Sequence, residues 1–309
     1  MWDLFCLASV AGIWPRFIEP RLILTTPVRL KVPNLPSDLD GFKILQFSDL
    51  HINSRSSSSF LKRLIKKAKE LQPDLIVFTG DFLCYSKLSD PERLTSFLRQ
   101  FHAPYGCYAI LGNHDYASCV SINSKGEYDE IEPPKGSSLR RGFARLGKSI
   151  TLTKTSTDKA KSIPLHSELI QHLAKTPFKL LHNQTVNLTV GETKLNLTGL
   201  GEYMLGRVDA EAAFRNYDRN APGIVLLHNP DGIPLLNDCP GDVILSGHTH
   251  GGQINLPWMW KKFTLLENME FKKGLLNVGR KWVYINRGVG SVLPFRWFSP
   301  PEFTLITLE

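Results

Sequence analysis

The order of apolar runs along the chain predicts an α/β (α+β) protein. Its core is expected to be two stacked mixed β-sheets flanked by helices, with an inserted cap segment. Three observations carry this reading. The first half alternates short apolar runs with amphipathic stretches, as parallel strands joined by outer helices do. The second half holds strands at closer spacing, which fits a second, mixed sheet. Between them, residues 116–178 lose the rhythm in a stretch of Lys, Ser, Thr, Gly and a Pro-Pro pair. So long an interruption between core elements marks a cap or an insert.

FKILQFS (42–48) reads as a buried strand. FLKRLIKKAKEL (60–71) is an amphipathic helix with Leu61, Leu64, Ile65, Ala68 and Leu71 on one face and lysines opposite, stopped by Pro73. DLIVFTG (74–80) is the next strand, PERLTSFLRQF (91–101) a helix opened by proline, and GCYAILGN (106–113) a third strand. Within the interruption only residues 165–174 are helical in pattern. TVNLTV (185–190) and TKLNLTGL (193–200) flank a Gly-Glu turn and read as a hairpin. A helix over 210–217 follows, then the strands GIVLLH (223–228), DVILSG (242–247), WVYIN (282–286) and FTLITL (303–308). No internal repeat is present.

The chain has 309 residues, enough for a sizeable core, with 42% hydrophobic and 21% charged residues, which excludes a disordered chain. The net charge of +8 favours an anionic partner: nucleic acid, a phosphorylated metabolite or an anionic membrane surface. No nucleic-acid recognition module is visible, so no nucleic-acid partner is expected. The five cysteines (Cys6, Cys84, Cys107, Cys119, Cys239) are odd in number, spread out and without a CxxC, which reads as reduced thiols and not a disulfide framework. Residues 1–14 are apolar apart from Asp3. That run is shorter than the roughly 20 residues a membrane span needs and lacks the basic start of a signal peptide. Flanked by Arg16 and Arg21, it reads as an interfacial anchor. The chain is accordingly divided into a membrane-associating segment and lead-in (1–35) and a catalytic domain (36–309) containing the insert 116–178.

The chemistry lies at the ends of the strands. SDLH places Asp49 and His51 after the first, TGD places Asp81 after the second, and GNHD places Asn113, His114 and Asp115 after the third. LLHN adds His228, and GHTH adds His248 and His250. In open α/β sheets ligands bind at this edge. Singly, each is the ordinary turn or cap residue of such a loop. Together, histidines, aspartates and an asparagine without a thiolate form an N/O donor set suited to Mn²⁺, Zn²⁺, Fe²⁺ or Mg²⁺. The set is too large for one ion, and two ions about 3.5–4 Å apart sharing one carboxylate would use it. Gly80, Gly112, Gly247, Gly251 and Gly252 flank the donors and let the loops approach closely.

The order D-x-H, G-D, G-N-H-D, H, G-H-x-H over residues 49–250 resembles the calcineurin-like metallophosphoesterases. GHTHGGQ, HNPD (228–231) and the terminal PPEFTLITLE are similar to a membrane-associated bacterial branch of that family. The resemblance implies two divalent ions, Mn²⁺ foremost. Asp49, His51 and His250 would hold one, Asn113, His228 and His248 the other, and Asp81 would bridge. His114 would not bind metal; it would face the phosphate and stabilise charge or protonate the leaving oxygen, a step that a histidine cation assists, and Asp115 would orient it. Relatives carry Gly-x-Asp where this chain has Leu-Gly-Glu-Tyr-Met, so Glu202 receives no ligand role. The clusters PWMWKKF (257–263), EFKKG (270–274) and PFRWFSPP (294–301) interleave aromatics and cations as a membrane interface does. The implied substrate is an anionic lipid-linked nucleotide, met at the cytoplasmic face of a bacterial inner membrane. The alternative is a soluble phosphoester such as a cyclic nucleotide or a phosphoprotein.

Overall fold

Strands buried on both faces read as unbroken apolar runs, and the two parallel series in this chain show why. In the structure, a computed structural model, β2 (Lys43–Phe47), β3 (Leu75–Thr79), β4 (Cys107–Ile110) and β7 (Phe178–Leu180) run parallel. β14 (Glu302–Leu308) lies antiparallel against β2, and β1 (Leu24–Leu30) closes the edge parallel to β14. The second sheet has β9 (Thr193–Gly199), β10 (Gly223–Leu226), β11 (Val243–Ser246) and β13 (Lys281–Ile285) parallel. β8 (Gln184–Val190) and β12 (Gly274–Val278) are its antiparallel edges. Residues 9–53, 56–133, 150–256, 260–264, 266–293 and 295–309 are described.

Three apolar clusters make this a four-layer sandwich. Leu30, Ile44, Val77 and Ile110 of the first sheet meet Leu197, Leu226, Val243 and Leu245 of the second. The outer face of the first sheet packs Phe47, Ile76 and Phe78 against α1 (Ser58–Leu71) through Leu61 and Leu64, and against α2 (Pro91–Leu98) through Leu94 and Leu98. The outer face of the second packs Val225, Ile244 and Val283 against Ala213, Ile233 and Phe271. Local sequence sets the helix ends: Ser57 caps α1 through Phe60 N–H, and Asp90 caps α2 just before Pro91. The expected two-sheet fold with flanking helices is observed.

Some elements differ from expectation. β1 falls in the lead-in, where the sequence shows no strand signal; Pro27 is tolerated there because the strand is an edge. The final strand returns to the first sheet instead of extending the second. Within the interruption, the described part holds the hairpin β5 (Val120–Ile122) and β6 (Tyr128–Glu130), then α3 (Asp158–Ser162) and α4 (Ser167–Leu173). Residues 134–149 of that segment lie outside the described residues, as do 1–8 of the N-terminal run and 257–259 of the first aromatic cluster. Among the described residues Cys84, Cys107, Cys119 and Cys239 form no disulfide with one another; Cys6 lies outside the described residues. Ser9–Ile18 is helical, and among the described residues no helix is long and apolar enough to cross a membrane.

Candidate metal centre

Because β2, β3 and β4 are parallel, and β10 and β11 likewise, their C-terminal ends open on one edge of the sandwich. Asp49 and His51 follow β2, Asp81 follows β3, Asn113 to Asp115 follow β4, His228 follows β10, and His248 and His250 follow β11. The loops must turn sharply. Asp49, His51, Asp81, His248 and His250 all adopt positive φ, between 44° and 70°. Such conformations are costly for residues with a side chain, and they cluster at functional sites. Gly80 (φ 95°) and Gly112 give the room: a Cβ on either would lie 2.5 Å from the His228 ring or 2.2 Å from Asp81 Oδ1, respectively.

All seven expected ligands and His114 converge. His51 Nε2 lies 3.1 Å from His250 Nε2, and Asp49 Oδ1 is 3.6 Å from the latter. On the other side His248 Nδ1 lies 3.3 Å from His228 Nε2 and 3.0 Å from Asn113 Oδ1. Asp81 Oδ2 stands between them, 3.6 Å from His51 Nε2 and 3.4 Å from His228 Nε2. Three groups of donor atoms close enough to hold an ion result: Asp49, His51 and His250; Asp81, His228 and His248; and His51, Asp81 and His114.

These residues fit divalent cations. His51 Nδ1 is 2.8 Å from the Leu83 carbonyl and His228 Nδ1 is 2.6 Å from that of Thr79, so both donate outward and aim the lone pair of Nε2 inward. Asn113 donates its amide to Val120 O, which turns Oδ1 toward His248. Asp49 Oδ1 is buried without a hydrogen-bond partner. Inward lone pairs and an orphaned carboxylate oxygen on buried side chains are stabilised by positive charge between them.

The electrostatics agree. Burial opposes charge on His228, but Asp81, and then Asp49 and Glu202, outweigh it and raise its pKa to about 10. Burial would likewise raise Asp81; His228 and His114 overcome it and hold that carboxyl well below the usual range. Asp49 is raised, chiefly by burial. His248 is pushed down to about 3 by burial and by His228.

Two expected roles need correction. Asp115 does not reach the His114 ring: its carboxylate accepts the backbone N–H groups of Asp81 (2.7 Å), Phe82, Leu83 and Gly112. It ties the Asp81 loop to the β4 loop. His114 Nδ1 instead accepts Tyr85 N–H at 3.0 Å, which leaves the proton on Nε2. Burial, with His51 and His228 added against the opposing pull of Asp81, lowers its pKa to about 4. The ring at neutral pH is therefore a neutral Nε2–H donor and not a cation.

Sequence reasoning missed Arg296. Its place in PFRWFSPP suggests an interface cation, yet it is fully buried. Its guanidinium donates to the carbonyls of Arg287, Ser299, Gly288 and Gly290, and Nη2 lies 3.1 Å from His250 Nδ1. A lone arginine in an aromatic loop gives no sequence signal of this. Glu202, assigned no ligand role, is also buried, with Oε1 unpartnered and its pKa raised to about 7, mainly by burial.

A four-layer sandwich with paired histidine clusters around a shared aspartate defines a class. Residues 42–252 match the calcineurin-like phosphoesterase model, and the chain belongs to that family. It is 40% identical over 304 residues to the UDP-2,3-diacylglucosamine pyrophosphatase LpxG of Chlamydia trachomatis, covering 95% of this chain and 92% of that protein. It is also 31% identical over 300 residues to YkuE of Bacillus subtilis, an uncharacterized metallophosphoesterase, covering 96% and 89%. The phosphodiesterase YaeI of Escherichia coli is 27% identical over 267 residues, covering 86% and 82%.

Proposed function

We propose that this chain is a divalent-metal hydrolase that cleaves the pyrophosphate of UDP-2,3-diacylglucosamine. Water enters across one P–O bond, and UMP and 2,3-diacylglucosamine 1-phosphate leave. The observation that carries the reading is the position of Asp81 Oδ2, 3.6 and 3.4 Å from one histidine of each half of the centre. It gains weight from the 40% identity to a protein named for this activity.

In this reading Asp49, His51 and His250 would hold one cation, Asn113, His228 and His248 the other, and Asp81 would serve both. Bound divalent cations supply charge to the phosphoryl oxygens and make water acidic near neutral pH. The residues of the chain supply the rest. Asp81 fixes the spacing of the two halves. The Tyr85 backbone N–H holds the His114 ring through Nδ1, and the His114 backbone N–H donates to Asp81 Oδ1 (2.9 Å). The ring offers Nε2–H to a phosphoryl or leaving oxygen, as a positioned acid does. Asp115 keeps Asp81 and His114 in one frame through backbone donors. The mixed nitrogen and oxygen donors favour Mn²⁺, with Zn²⁺, Fe²⁺ or Mg²⁺ as alternatives. We place the protein at the cytoplasmic face of a bacterial inner membrane, with residues 1–35 as the associating segment and 36–309 as the catalytic domain.

The test is product analysis with the acylated sugar nucleotide in detergent. Equal amounts of UMP and lipid monophosphate are expected, dependent on Mn²⁺. Turnover of a soluble chromogenic diester with no release of UMP from the lipid nucleotide would replace this reading with that of a soluble phosphodiesterase.

A further inference from the structure

The two sheets part at one flank of the sandwich, where β1 and β12 are their open edges. Alternate residues of β1 face the second sheet. Val28 and Leu30 do so within the inter-sheet core, where Tyr284 joins them. Thr26, on the same face, meets a polar network instead. There Glu302 accepts from Thr26, from Tyr284 Oη at 2.9 Å and from Arg287 Nη2 at 2.8 Å. Beyond that network the sheets enclose a cleft of about 490 Å³, between residues 26–29 of the first and 273–275 of the second. Gly274 (φ 84°) stands at its rim, and a Cβ there would meet nothing within 4 Å. None of the expected metal ligands lines the cleft.

The lining divides by chemistry. Pro27, Val28 and Leu275, the last 41% exposed, form an apolar wall. Lys273 and Arg287 form a cationic end. Arg29 is paired with Glu309 and adds no free charge. Arg287 uses Nη2 on Glu302 and Thr26. Among the described residues Lys273 Nζ has no acceptor at all. Burial, then Arg287 and Lys272, hold its amine below the ordinary lysine value, against the weaker pull of Glu302 and Glu19. A half-buried ammonium crowded by like charge is stabilised by an anion set beside it.

We infer that this cleft is a binding site for a small amphiphilic phosphomonoester, its phosphoryl oxygens on Lys273 and Arg287 and its apolar body along Pro27, Val28 and Leu275. Charge decides the head. A guanidinium beside an ammonium without a counter-ion suits a tetrahedral oxyanion, which offers acceptors to both. A phosphomonoester brings three such oxygens and close to two charges at neutral pH, more than a carboxylate can. Size decides the body, since the volume is that of a small-molecule site. The site is separate from the metal centre and does not rest on the proposed reaction.

Calorimetry of hexyl phosphate on the Mn²⁺-loaded chain tests it. Two sites are expected, one at the metal centre and one in the cleft, and chelating the metal should leave the second. Lys273→Met should weaken the cleft site about 10- to 100-fold and spare the other. Leu275→Asp should weaken hexyl phosphate there more than inorganic phosphate, because only the former uses the apolar wall. Arg287 is kept, because its stem packs on the turn that carries His250: a Cβ on Gly251 would lie 2.6 Å from Arg287 Cγ. Melting temperature reports whether each variant is folded. A single site that vanishes with the metal, or equal affinity in parent and Lys273→Met, overturns the inference. Hexanoate bound as tightly as hexyl phosphate overturns the choice of ligand. A chain that sediments as a dimer and takes up no hexyl phosphate in the cleft overturns it too, since the flank would then belong to a second copy. No turnover is read, so failure here leaves pyrophosphate cleavage standing, and failure of cleavage leaves the cleft standing.

Discussion

Behind the ligands Asp49, His51 and His250 stands a cation: the buried Arg296 guanidinium, 3.1 Å from His250 Nδ1. Behind Asn113, His228 and His248 stand the Thr79 carbonyl, 2.6 Å from His228 Nδ1, and the carboxylate of Glu202, which acts on His228 through its charge. The consequences are opposite. Burial, His51 and Arg296 hold His250 well below its usual pKa, whereas His228 is raised to about 10. His248, in the same half as His228, is pushed down to about 3, so the contrast lies in what stands behind one histidine of each half: a guanidinium behind His250 and a carbonyl behind His228. With the Arg296 guanidinium 3.1 Å from His250 Nδ1, the half with His250 is expected to fill second and the half with His228 first.

Removing what the halves share should have the largest effect. Asp81→Ala is expected to cut turnover on the order of a thousandfold or more, and to abolish tight binding of two Mn²⁺ in calorimetry. Retention of two tight sites would separate the halves and remove the bridge. His114→Ala touches neither half as proposed. It should lower kcat by roughly 10²–10⁴ while both ions still bind. Since the His114 pKa is down at about 4, the ratio of parent to variant rates should stay level as pH rises through neutrality. A ratio that falls there would restore a histidine cation as the acid.

Glu202→Gln addresses the asymmetry alone. Affinity of the tighter site should fall about 10- to 100-fold with the weaker one unchanged; equal loss at both would erase the distinction. A smaller effect is expected from the frame behind the first half. Glu302 is buried and accepts from Arg287 at 2.8 Å and from Tyr284 at 2.9 Å. Burial opposes its charge, but Arg287 and Thr26 prevail and hold the carboxyl below the usual glutamate value. A lowered folded-state pKa stabilises above the unfolded pKa and is lost as pH falls through the folded one. Glu302→Gln should therefore cost about 1.5 kcal/mol in denaturant melts at neutral pH, with the difference from the parent vanishing in acid.

Much of this centre was legible because its ligands announce themselves as polar residues directly after apolar strands. Parallel strands bring such ends together whatever the intervening sequence, so Asp49, His51, Asp81, Asn113, His228, His248 and His250 could be named without knowing the loops. The groups that aim them could not. Tyr85 sets the tautomer of His114 through its backbone N–H, and Leu83 and Thr79 orient His51 and His228 through carbonyls. A backbone group has no residue signature. Asp115 was misread for the same reason, since its partners are amides. β1 escaped notice because an edge strand needs apolar residues on only part of one face, and Pro27 reads as a breaker. Arg296 was hidden by its aromatic neighbours, which suggested surface where the chain buries charge against carbonyls.

The central claim is a paired-cation centre divided by Asp81, and anomalous diffraction at the manganese edge on Mn²⁺-soaked crystals tests it most directly. Two peaks about 3.5–4 Å apart on either side of the Asp81 carboxylate are expected, the one beside His228 filling first as Mn²⁺ is raised. A single peak, or peaks away from these histidines, would contradict it.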